Sequence, residues 1–255
     1  MNISIITITY NSASVIEHCL TSIANQTYKN IEQIIVDGAS SDGTVDILNR
    51  HAKNISILIS EPDKGIYHAM NKGLSLARGD IIGFLNSDDF YNNNQVLSNV
   101  IKVFESDSSL EACYADLLYV ERTDITKIVR YWKSNQFCLG SFSKGWCTPY
   151  PTLFVRRSVY KKYGNFNLNY QIAADVDLTM RFFEVYKIKV GYVPEIWVNM
   201  RVGGVSNKNL KNIFIQNVEI LRALKSYGLQ ANFIWFFINK LFSRAKQFLH
   251  RSVNL

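Results

Sequence analysis

Residues 3–37 read ISIITITYNSASVIEHCLTSIANQTYKNIEQIIVD, and this stretch decides the fold. Its two ends, ISIITIT and IEQIIVD, are apolar and β-branched, which is typical of strands buried in a parallel sheet. Between them, apolar side chains recur at helical spacing, at Val15, Ile16, Cys19, Leu20 and Ile23. A strand, a helix and a second strand in this order predict a βαβ unit.

The same alternation continues to residue 85. TVDILNRH predicts a short helix, ISILIS (55–60) a third strand, GIYHAMNKGLSLARG a further helix and DIIGFL (80–85) a fourth strand. We therefore expect an α/β fold with a Rossmann-like, mostly parallel sheet and helices on both faces. Beyond residue 110, LEACYADLLYV predicts a strand and RTDITKIVRYW its hairpin partner or an edge strand. Residues 134–152 are expected to be an irregular loop, and VGYVPEIWVNMRV (190–202) a strand pair.

The net charge of +7 is unevenly distributed along the chain. Residues 201–255 hold nine Lys or Arg and one acid, whereas residues 1–200 hold nineteen and twenty. This asymmetry predicts an anionic surface as the partner of the C-terminal end. A nucleic-acid-binding protein would instead carry its basic patch on the body, so nucleic acid is not an expected partner.

Cysteine usage and hydropathy indicate where the protein acts. The four cysteines form no CxxC pair, which favours free thiols in a reducing compartment. No signal peptide is evident, and the longest apolar run, FIWFFI (233–238), is far shorter than the roughly 20 residues of a membrane span. We expect a cytoplasmic protein that attaches peripherally to the inner face of the cell membrane.

Polar side chains follow all four predicted strands, where ligands of open parallel sheets bind. They are Thr9, Tyr10 and Asn11 after the first strand, Asp37 after the second, Glu61 and Asp63 after the third, and Asn86, Ser87, Asp88 and Asp89 after the fourth. Any one of these acids is also typical of a turn or a helix cap. Four polar strand ends at one edge favour a binding site.

Several other kinds of site are excluded by their missing motifs. There is no GxGxxG, no GxxxxGK[ST] and no GxSxG, and the four histidines have no zinc-ligand spacing. The side chains that remain as candidates for chemistry are carboxylates. The pair Asp88–Asp89 either closes a turn or holds Mg²⁺ or Mn²⁺, which prefer oxygen ligands and would relieve the repulsion between the two acids.

Five separated segments resemble family 2 glycosyltransferases of the GT-A fold, of the bacterial O-antigen, capsule and exopolysaccharide type. They are YN after the first strand, VDGASSDGT, EPDKGIYHAMNKG, FLNSDD and AADVDLTMR, in the family's order. The resemblance covers roughly residues 1–205. It implies a catalytic domain with a nucleotide-sugar-binding half (1–110) and an acceptor-side half (111–205), followed by a basic helical tail (206–255).

The resemblance also implies roles for the residues at the strand ends. Thr9, Tyr10, Asn11 and Asp37 would bind the nucleoside, and Asp63 would line the nucleotide pocket with the helix that carries Asn71 and Lys72. An ordinary solvated lysine remains the alternative for Lys72. FLNSDD occupies the place of the family's DxD motif, so Asn86, Ser87 and Asp88 would bind the donor, with Asp88 as the ligand of Mn²⁺ or Mg²⁺. Asn86 stands where the motif usually has Asp and brings no charge.

AADVDL matches the family segment that carries the catalytic base. Asp175 is the candidate base and Asp177 the alternative, although an acid at a helix N-terminus is also favoured by the helix dipole. The resemblance implies an inverting single displacement in which Asp175 takes the proton of the attacking hydroxyl. Tyr150, where the family commonly has histidine, either lines the pocket or anchors a loop. Trp132 and Trp146 either stack on sugars or pack in the core.

The segment QANFIWFFINKLFSRAKQFLHR (230–251) has the composition of an interfacial amphipathic helix. Its aromatic residues would enter the headgroup region, while Lys240, Arg244, Lys246 and Arg251 would face anionic lipid. A helix packed on the body with solvated charges is the alternative. The membrane interpretation leads to a lipid-linked acceptor, such as a saccharide on a polyprenyl diphosphate.

The expected function is transfer of a sugar from a nucleotide-diphosphate sugar, UDP-linked, to a hydroxyl of that acceptor in surface polysaccharide synthesis. One alternative is a sugar nucleotidyltransferase, but TYNSASVIE lacks the glycine-rich basic loop of that class. The other is an inactive, membrane-associated scaffold, which only Asn86 suggests.

Overall fold

Strand β1 (Ile3–Thr9) lies in the middle of a parallel four-stranded half-sheet in our computed structural model, which describes residues 1–203 and 210–249. It pairs with β2 (Ile31–Asp37) on one side and β4 (Ile81–Phe84) on the other, and β3 (Ile57–Ser60) pairs with β2. The strand ends are in register, because Thr9 lies opposite Asp37 and Asp37 opposite Ser60. The predicted βαβ alternation is confirmed.

Helices cover both faces of this half-sheet, as the alternation of side chains along β1 requires. Ile3 and Ile5 pack with α1 (Ile16–Ala24) and α4 (Val96–Ser106), whereas Ile6 packs on the other face with α3 (Ile66–Leu76). At Gly73 of α3 an added Cβ would lie 2.4 Å from Ile6 Cγ2, so only glycine allows this approach. The short helix α2 (Thr44–Arg50) follows β2.

The second half of the sheet is mixed. Its strands are β5 (Phe90–Tyr91), β6 (Ala112–Val120), β7 (Ile128–Trp132), β8 (Phe154–Arg156) and β9 (Val190–Arg201). The order across the described sheet is β3-β2-β1-β4-β8-β6-β9-β5, with β7 added on β6. Strand β8 is antiparallel to both β4 and β6, so it joins the parallel half to the mixed half. The predicted α/β fold of GT-A type is confirmed.

The prediction of a strand pair at 190–202 is wrong, because β9 is one long strand. It pairs with β6 in parallel and with β5 antiparallel. Both partners lie outside residues 190–202, so this segment does not form a hairpin with itself. The strand is interrupted by a bulge instead of a turn. The register moves from Ala115↔Val193 to Asp116↔Ile196, which leaves Pro194 and Glu195 out of the ladder. Proline cannot donate to a sheet, and a bulge accommodates it.

Other local predictions for the second half agree with the structure. Strand β7 is the antiparallel partner of β6, and residues 133–153 are irregular except for two short 3₁₀ turns. Two helices follow, α5 (Arg157–Tyr163) and α6 (Ala174–Met180), and α6 continues into a π-turn at Arg181–Val185. All four cysteines are free thiols, as expected.

The C-terminal helices α7 (Leu210–Ser226) and α8 (Phe233–Leu249) pack on the body. Ile220, Leu224 and Phe236 are buried in the same core as α3 and α6. Gly145, at φ +84°, lies so close to α8 that a Cβ there would be 2.8 Å from the Phe236 carbonyl oxygen. In residues 1–203 and 210–249, no helix combines the length and the apolar character needed to cross a bilayer.

Candidate active site

The side chain of Asp37 joins the end of β2 to the end of β3. This carboxylate is fully buried and accepts hydrogen bonds from the Ser40 backbone N–H (2.9 Å), the Ser40 hydroxyl and the Ser60 hydroxyl (2.6 Å). Asn11, in the left-handed region at φ +48°, donates its N–H to Ser40 Oγ. The chain turns sharply here, as the polar strand ends predict.

Thr9 and Tyr10 differ in accessibility. The Thr9 hydroxyl is buried without a partner among the described residues, whereas Tyr10 is 65% exposed beside the turn. A ligand at this edge of the sheet would therefore meet the Tyr10 ring and the loop of Asn11 first. Thr9 lies beneath them.

Lys72 is held at the third strand end rather than free in solvent. Its ammonium group lies 2.8 Å from Asp63 Oδ1 and 2.7 Å from Glu61 Oε1, and these hydrogen bonds raise the pKa of Lys72. Asp63 also contacts His68 Nδ1 at 2.9 Å. Asn71 does not contact this cluster. Its side-chain amide donates a hydrogen bond to the Phe166 carbonyl oxygen and accepts one from the Phe166 N–H.

Residues 86–89 form a tight acidic turn after β4. The Asp89 N–H donates to the Asn86 carbonyl (3.0 Å), and the Asn86 side-chain amide donates to Asp89 Oδ2 (3.2 Å). The Ser87 hydroxyl lies 2.9 Å from the Ser12 hydroxyl, and Arg201 donates to the Asp88 carbonyl oxygen at 2.6 Å. The turn is thereby tied to the loop after β1 and to the end of β9.

The two acids of this turn are costly to ionise. Burial raises the pKa of Asp89 well above its usual range, and the charge of Asp88 raises it further. Burial also raises the pKa of Asp88. Asp89 Oδ1 is buried with no hydrogen-bond partner in the described chain. A bound cation would stabilise both charges.

The acidic turn fits one kind of metal site. No group of three or more His, Cys, Asp or Glu side chains in residues 1–203 and 210–249 forms an all-protein site. One or two carboxylates are what Mg²⁺ typically takes from a protein when substrate phosphates supply further ligands. The carboxylates present, with one unpartnered buried oxygen, are consistent with that arrangement.

Asp175 lies in the first turn of α6 and lines a cavity of about 250 Å³ that also contains Asn86. The Tyr67 hydroxyl, from α3, lies 3.2 Å from Asp175 Oδ1 and 2.7 Å from the Ile172 carbonyl oxygen. Burial raises the pKa of Asp175 to about 6, although hydrogen bonds from the Val176 N–H and Tyr67 oppose the shift. Asp175 is therefore ionised at neutral pH but remains an effective proton acceptor.

Asp177 is directed away from this cavity. It is almost fully buried, accepts a hydrogen bond from Tyr227 at 2.9 Å and lies 3.8 Å from Arg181. Its position is structural, since it joins α6 to the end of α7. Of the two candidates for the base, only Asp175 lines the cavity.

The three aromatic residues identified in the sequence, Trp132, Trp146 and Tyr150, all line the same cavity. Trp146 also packs edge-on against Phe142, 5.2 Å between ring centroids, and Tyr150 is buried beside Phe84 and Phe166. These aromatic side chains therefore both line the cavity and pack in the core.

The structure corrects the expected orientation of Lys240 and Arg244. Both line the cavity beside Asp175 instead of facing outward, and the Lys240 ammonium donates to Asn217 Oδ1 at 2.6 Å. Burial of Phe236 on the body sets this rotation of α8 and turns the basic residues inward. Arg251 and the side chain of Lys246 lie outside the described residues.

Sequence reasoning missed Tyr67 and Arg130, which also line the cavity. Tyr67 sits in an otherwise ordinary amphipathic helix, and Arg130 in an edge strand. Their contribution depends on contacts with α6 and α8, far away in sequence, so no local signal could have found them.

Comparisons with known proteins show which family this chain is similar to. The model of the family described as "Glycosyl transferase family 2" matches residues 4–177. The "PGL/p-HBAD biosynthesis glycosyltransferase" of Mycobacterium tuberculosis is 31% identical over 221 residues, 84% of this chain and 83% of that protein. The chondroitin synthase of Pasteurella multocida is 29% identical over 209 residues, 81% of this chain but 21% of that longer protein.

Two solved structures share the fold. S. aureus TarS 1–349 in complex with UDP-GlcNAc superposes with a TM-score of 0.68 at 19% identity, covering 98% of this chain and 72% of that one. Mannosyltransferase PcManGT from Pyrobaculum calidifontis, solved with GDP-Man and Mn²⁺, has a TM-score of 0.62 at 19% identity, covering 99% and 88%. The family model and the relatives identify a glycosyltransferase that uses a nucleotide sugar. The chain belongs to glycosyl transferase family 2.

Proposed function

We propose that the protein transfers a sugar, with inversion, from a UDP-linked donor to a hydroxyl of a lipid-linked saccharide, with Asp175 as the general base. The observation that carries this proposal is the position of Asp175. It is the one described carboxylate in a cavity continuous with the acidic turn at Asn86, and its pKa of about 6 suits proton abstraction near neutral pH. The acceptor oxygen would bond to the anomeric carbon while the nucleoside diphosphate departs.

The donor nucleotide would bind along the first three strand ends. Tyr10 and Asn11 lie at the surface of that edge, with Thr9 and Asp37 beneath them and Asp63 and Lys72 beside them. UDP-GlcNAc in TarS and GDP-Man in PcManGT support a nucleotide-sugar donor for this fold. Ser87 and Asn86 would contact the donor where the nucleotide region meets the cavity.

Mn²⁺ or Mg²⁺ would be held by Asp88, with the buried Asp89 behind it. The ion would supply positive charge opposite the departing diphosphate. The raised pKa values of both acids and the unpartnered Asp89 Oδ1 support this assignment. Lys72 and Arg201 supply further cations at the same edge.

Membrane attachment would involve the outer face of α8. Five large apolar residues are exposed there at helical spacing: Ile234, Trp235, Ile238, Leu241 and Phe242. Such a face is typical of interfacial helices. It supports a peripheral location at the inner face of the cell membrane and an acceptor on a polyprenyl diphosphate, in synthesis of O-antigen, capsule or another surface polysaccharide.

The chemistry is tested by replacing each of the two acids of α6 separately with asparagine. We expect Asp175→Asn to lower donor-dependent release of nucleoside diphosphate by about 10²-fold or more, since general-base catalysis contributes about 10²–10⁴-fold. Asp177→Asn, the matched control, should keep near wild-type turnover at a reduced melting temperature. Equal turnover in Asp175→Asn and the wild type would refute the assignment.

A further inference from the structure

The part of the cavity wall that β7 and α8 contribute is strongly basic. Arg130 and Lys133 come from β7 and the residue after it, while Lys240 and Arg244 come from α8. Asp175 is the single acid among the described residues that line the cavity. The described residues that line the cavity therefore carry a net positive charge.

These cations are held at the cavity at an electrostatic cost. Burial lowers the pKa of Arg130, and the charge of Arg244 adds to that decrease. Burial also lowers the pKa of Lys240, again with a contribution from Arg244. The Arg130 guanidinium is anchored 3.7 Å above the Tyr119 ring, and Lys240 is anchored by Asn217, so neither can simply turn to solvent. A bound anion would offset this repulsion.

The basic wall lies apart from the strand ends that we propose for the nucleotide. The nucleotide residues follow β1, β2 and β3 at one end of the sheet, and Asn86 follows β4 next to them. Arg130 belongs to β7, which is attached to β6 beyond β8, and α8 packs against β7. Asp175 and Asn86 share the cavity with the basic wall, whereas Asp37 and Asp63 do not line it.

We propose that Arg130, Lys240 and Arg244 bind a phosphate group of the acceptor, so that the accepting hydroxyl belongs to a sugar attached directly to phosphate. Guanidinium and ammonium groups are the usual protein partners of phosphate. The cavity, at about 250 Å³, is smaller than the ~300–1,000 Å³ of typical ligand pockets. Asp175 and the basic wall line this one small cavity together, so the accepting hydroxyl and the phosphate would lie close to each other.

This inference rests on the proposed function and sharpens it. The enzyme would add the second sugar to a phosphate-linked first sugar. The acceptor hydroxyl loses its proton to Asp175, its oxygen bonds to the donor's anomeric carbon, and the bond from that carbon to the nucleoside diphosphate breaks. The phosphate on the acceptor is not a reactant; it positions the sugar that is attacked.

The test compares monosaccharides presented in two forms, as decyl diphosphate esters and as decyl glycosides. For the wild type we expect a KM at least tenfold lower for the diphosphate ester, because charge-assisted hydrogen bonds are lost in the glycoside. Arg244→Gln and Lys240→Gln should raise the KM of the ester by about tenfold and leave the KM of the donor unchanged. Arg222→Gln, an exposed position on α7, is the control and should change neither KM.

Binding without turnover separates this inference from the proposed function. With UDP and Mn²⁺ at saturation, methyl diphosphate titrated into the full-length protein should bind by calorimetry, and Arg244→Gln should weaken this binding by about tenfold. Weaker binding of UDP itself to Arg244→Gln would assign the cations to the donor and overturn the inference. Equal KM values for the two acceptor forms would overturn it too. Absence of transfer to every acceptor, with methyl diphosphate still bound, would refute the proposed function and retain the phosphate subsite.

Discussion

Asp175 and Asp177 lie two residues apart in α6, yet their surroundings differ completely. Asp177 is buried between Tyr227, which donates a hydrogen bond to it, and Arg181 at ion-pair distance, whereas Asp175 faces a cavity and contacts the Tyr67 hydroxyl. Helical geometry causes the difference, since residues two apart point to different sides of a helix. The sequence left both acids as candidates, and the packing of α7 distinguishes them.

The raised pKa of Asp175 predicts an acid limb in the pH profile. The carboxyl must be ionised to accept a proton, so kcat/KM should fall as pH decreases through about 6. The hydrogen bond from Tyr67 lowers the pKa of Asp175, so Tyr67→Phe should move the acid limb to higher pH. At pH 5.5 we expect kcat/KM to fall by about fivefold, which corresponds to the free energy of one hydrogen bond. Tyr163→Phe, on α5, should leave the profile unchanged. A limb at the same pH in Tyr67→Phe would contradict the role of this contact.

The acidic turn predicts opposite effects of two isosteric exchanges. Asp88→Asn should remove the stabilisation by Mn²⁺ and UDP, and without metal should melt at a higher temperature than the wild type because Asp89 loses a repulsive neighbour. Asn86→Asp should tighten Mn²⁺ binding. A ligand at 100 times its Kd stabilises by about 2.7 kcal/mol, which thermal melting with Mn²⁺ or EDTA detects readily. Equal Mn²⁺-dependent shifts in all three proteins would exclude the turn as the metal site.

At the scale of elements, the docking of α8 depends on a glycine in the irregular loop. Gly145 and Gly140 have the same φ of +84°, but only at Gly145 would a Cβ meet α8, 2.8 Å from the Phe236 carbonyl. Both alanine variants carry the strain of a left-handed residue, about 1–2 kcal/mol. Gly145→Ala should be further destabilised and should expose α8 to hydrogen exchange, whereas Gly140→Ala should not. Identical exchange in the two variants would show that α8 docks without this close contact.

How far the elements could be predicted depends on how local their pairing is. The first four strands and their helices were predictable, because each βαβ unit carries its period within about 30 residues. The structure of β9 was not, since its partners β5 and β6 come from distant segments. The sequence also did not show that Lys240 and Arg244 of α8 face the cavity. Both faces of this helix carry apolar residues, and only the burial of Phe236 shows which one meets the body.

For the whole molecule, the distribution of charge and apolar surface predicts peripheral binding to anionic membranes. Leu241 and Phe242 are 73% and 64% exposed on α8, in the basic C-terminal part of the chain. Co-sedimentation with vesicles rich in anionic lipid should decrease strongly in Leu241→Glu/Phe242→Glu and at high salt. Leu168→Glu, at a loop residue 56% exposed, is the control and should bind as the wild type does. Unchanged sedimentation of the double variant would refute attachment through α8.

One helix, α8, contributes Lys240 and Arg244 to the basic wall of the cavity and also carries the apolar outer face, so binding at the two surfaces can be thermodynamically linked. If docking of α8 on the body differs between the vesicle-bound and free protein, the two binding equilibria are coupled. The coupling is reciprocal. A lipid surface that favours the docked helix would increase the affinity of the protein for the acceptor by a certain factor, and the acceptor would increase the affinity of the protein for the surface by the same factor. The enzyme would then be most competent where its acceptor resides, without any separate regulatory domain.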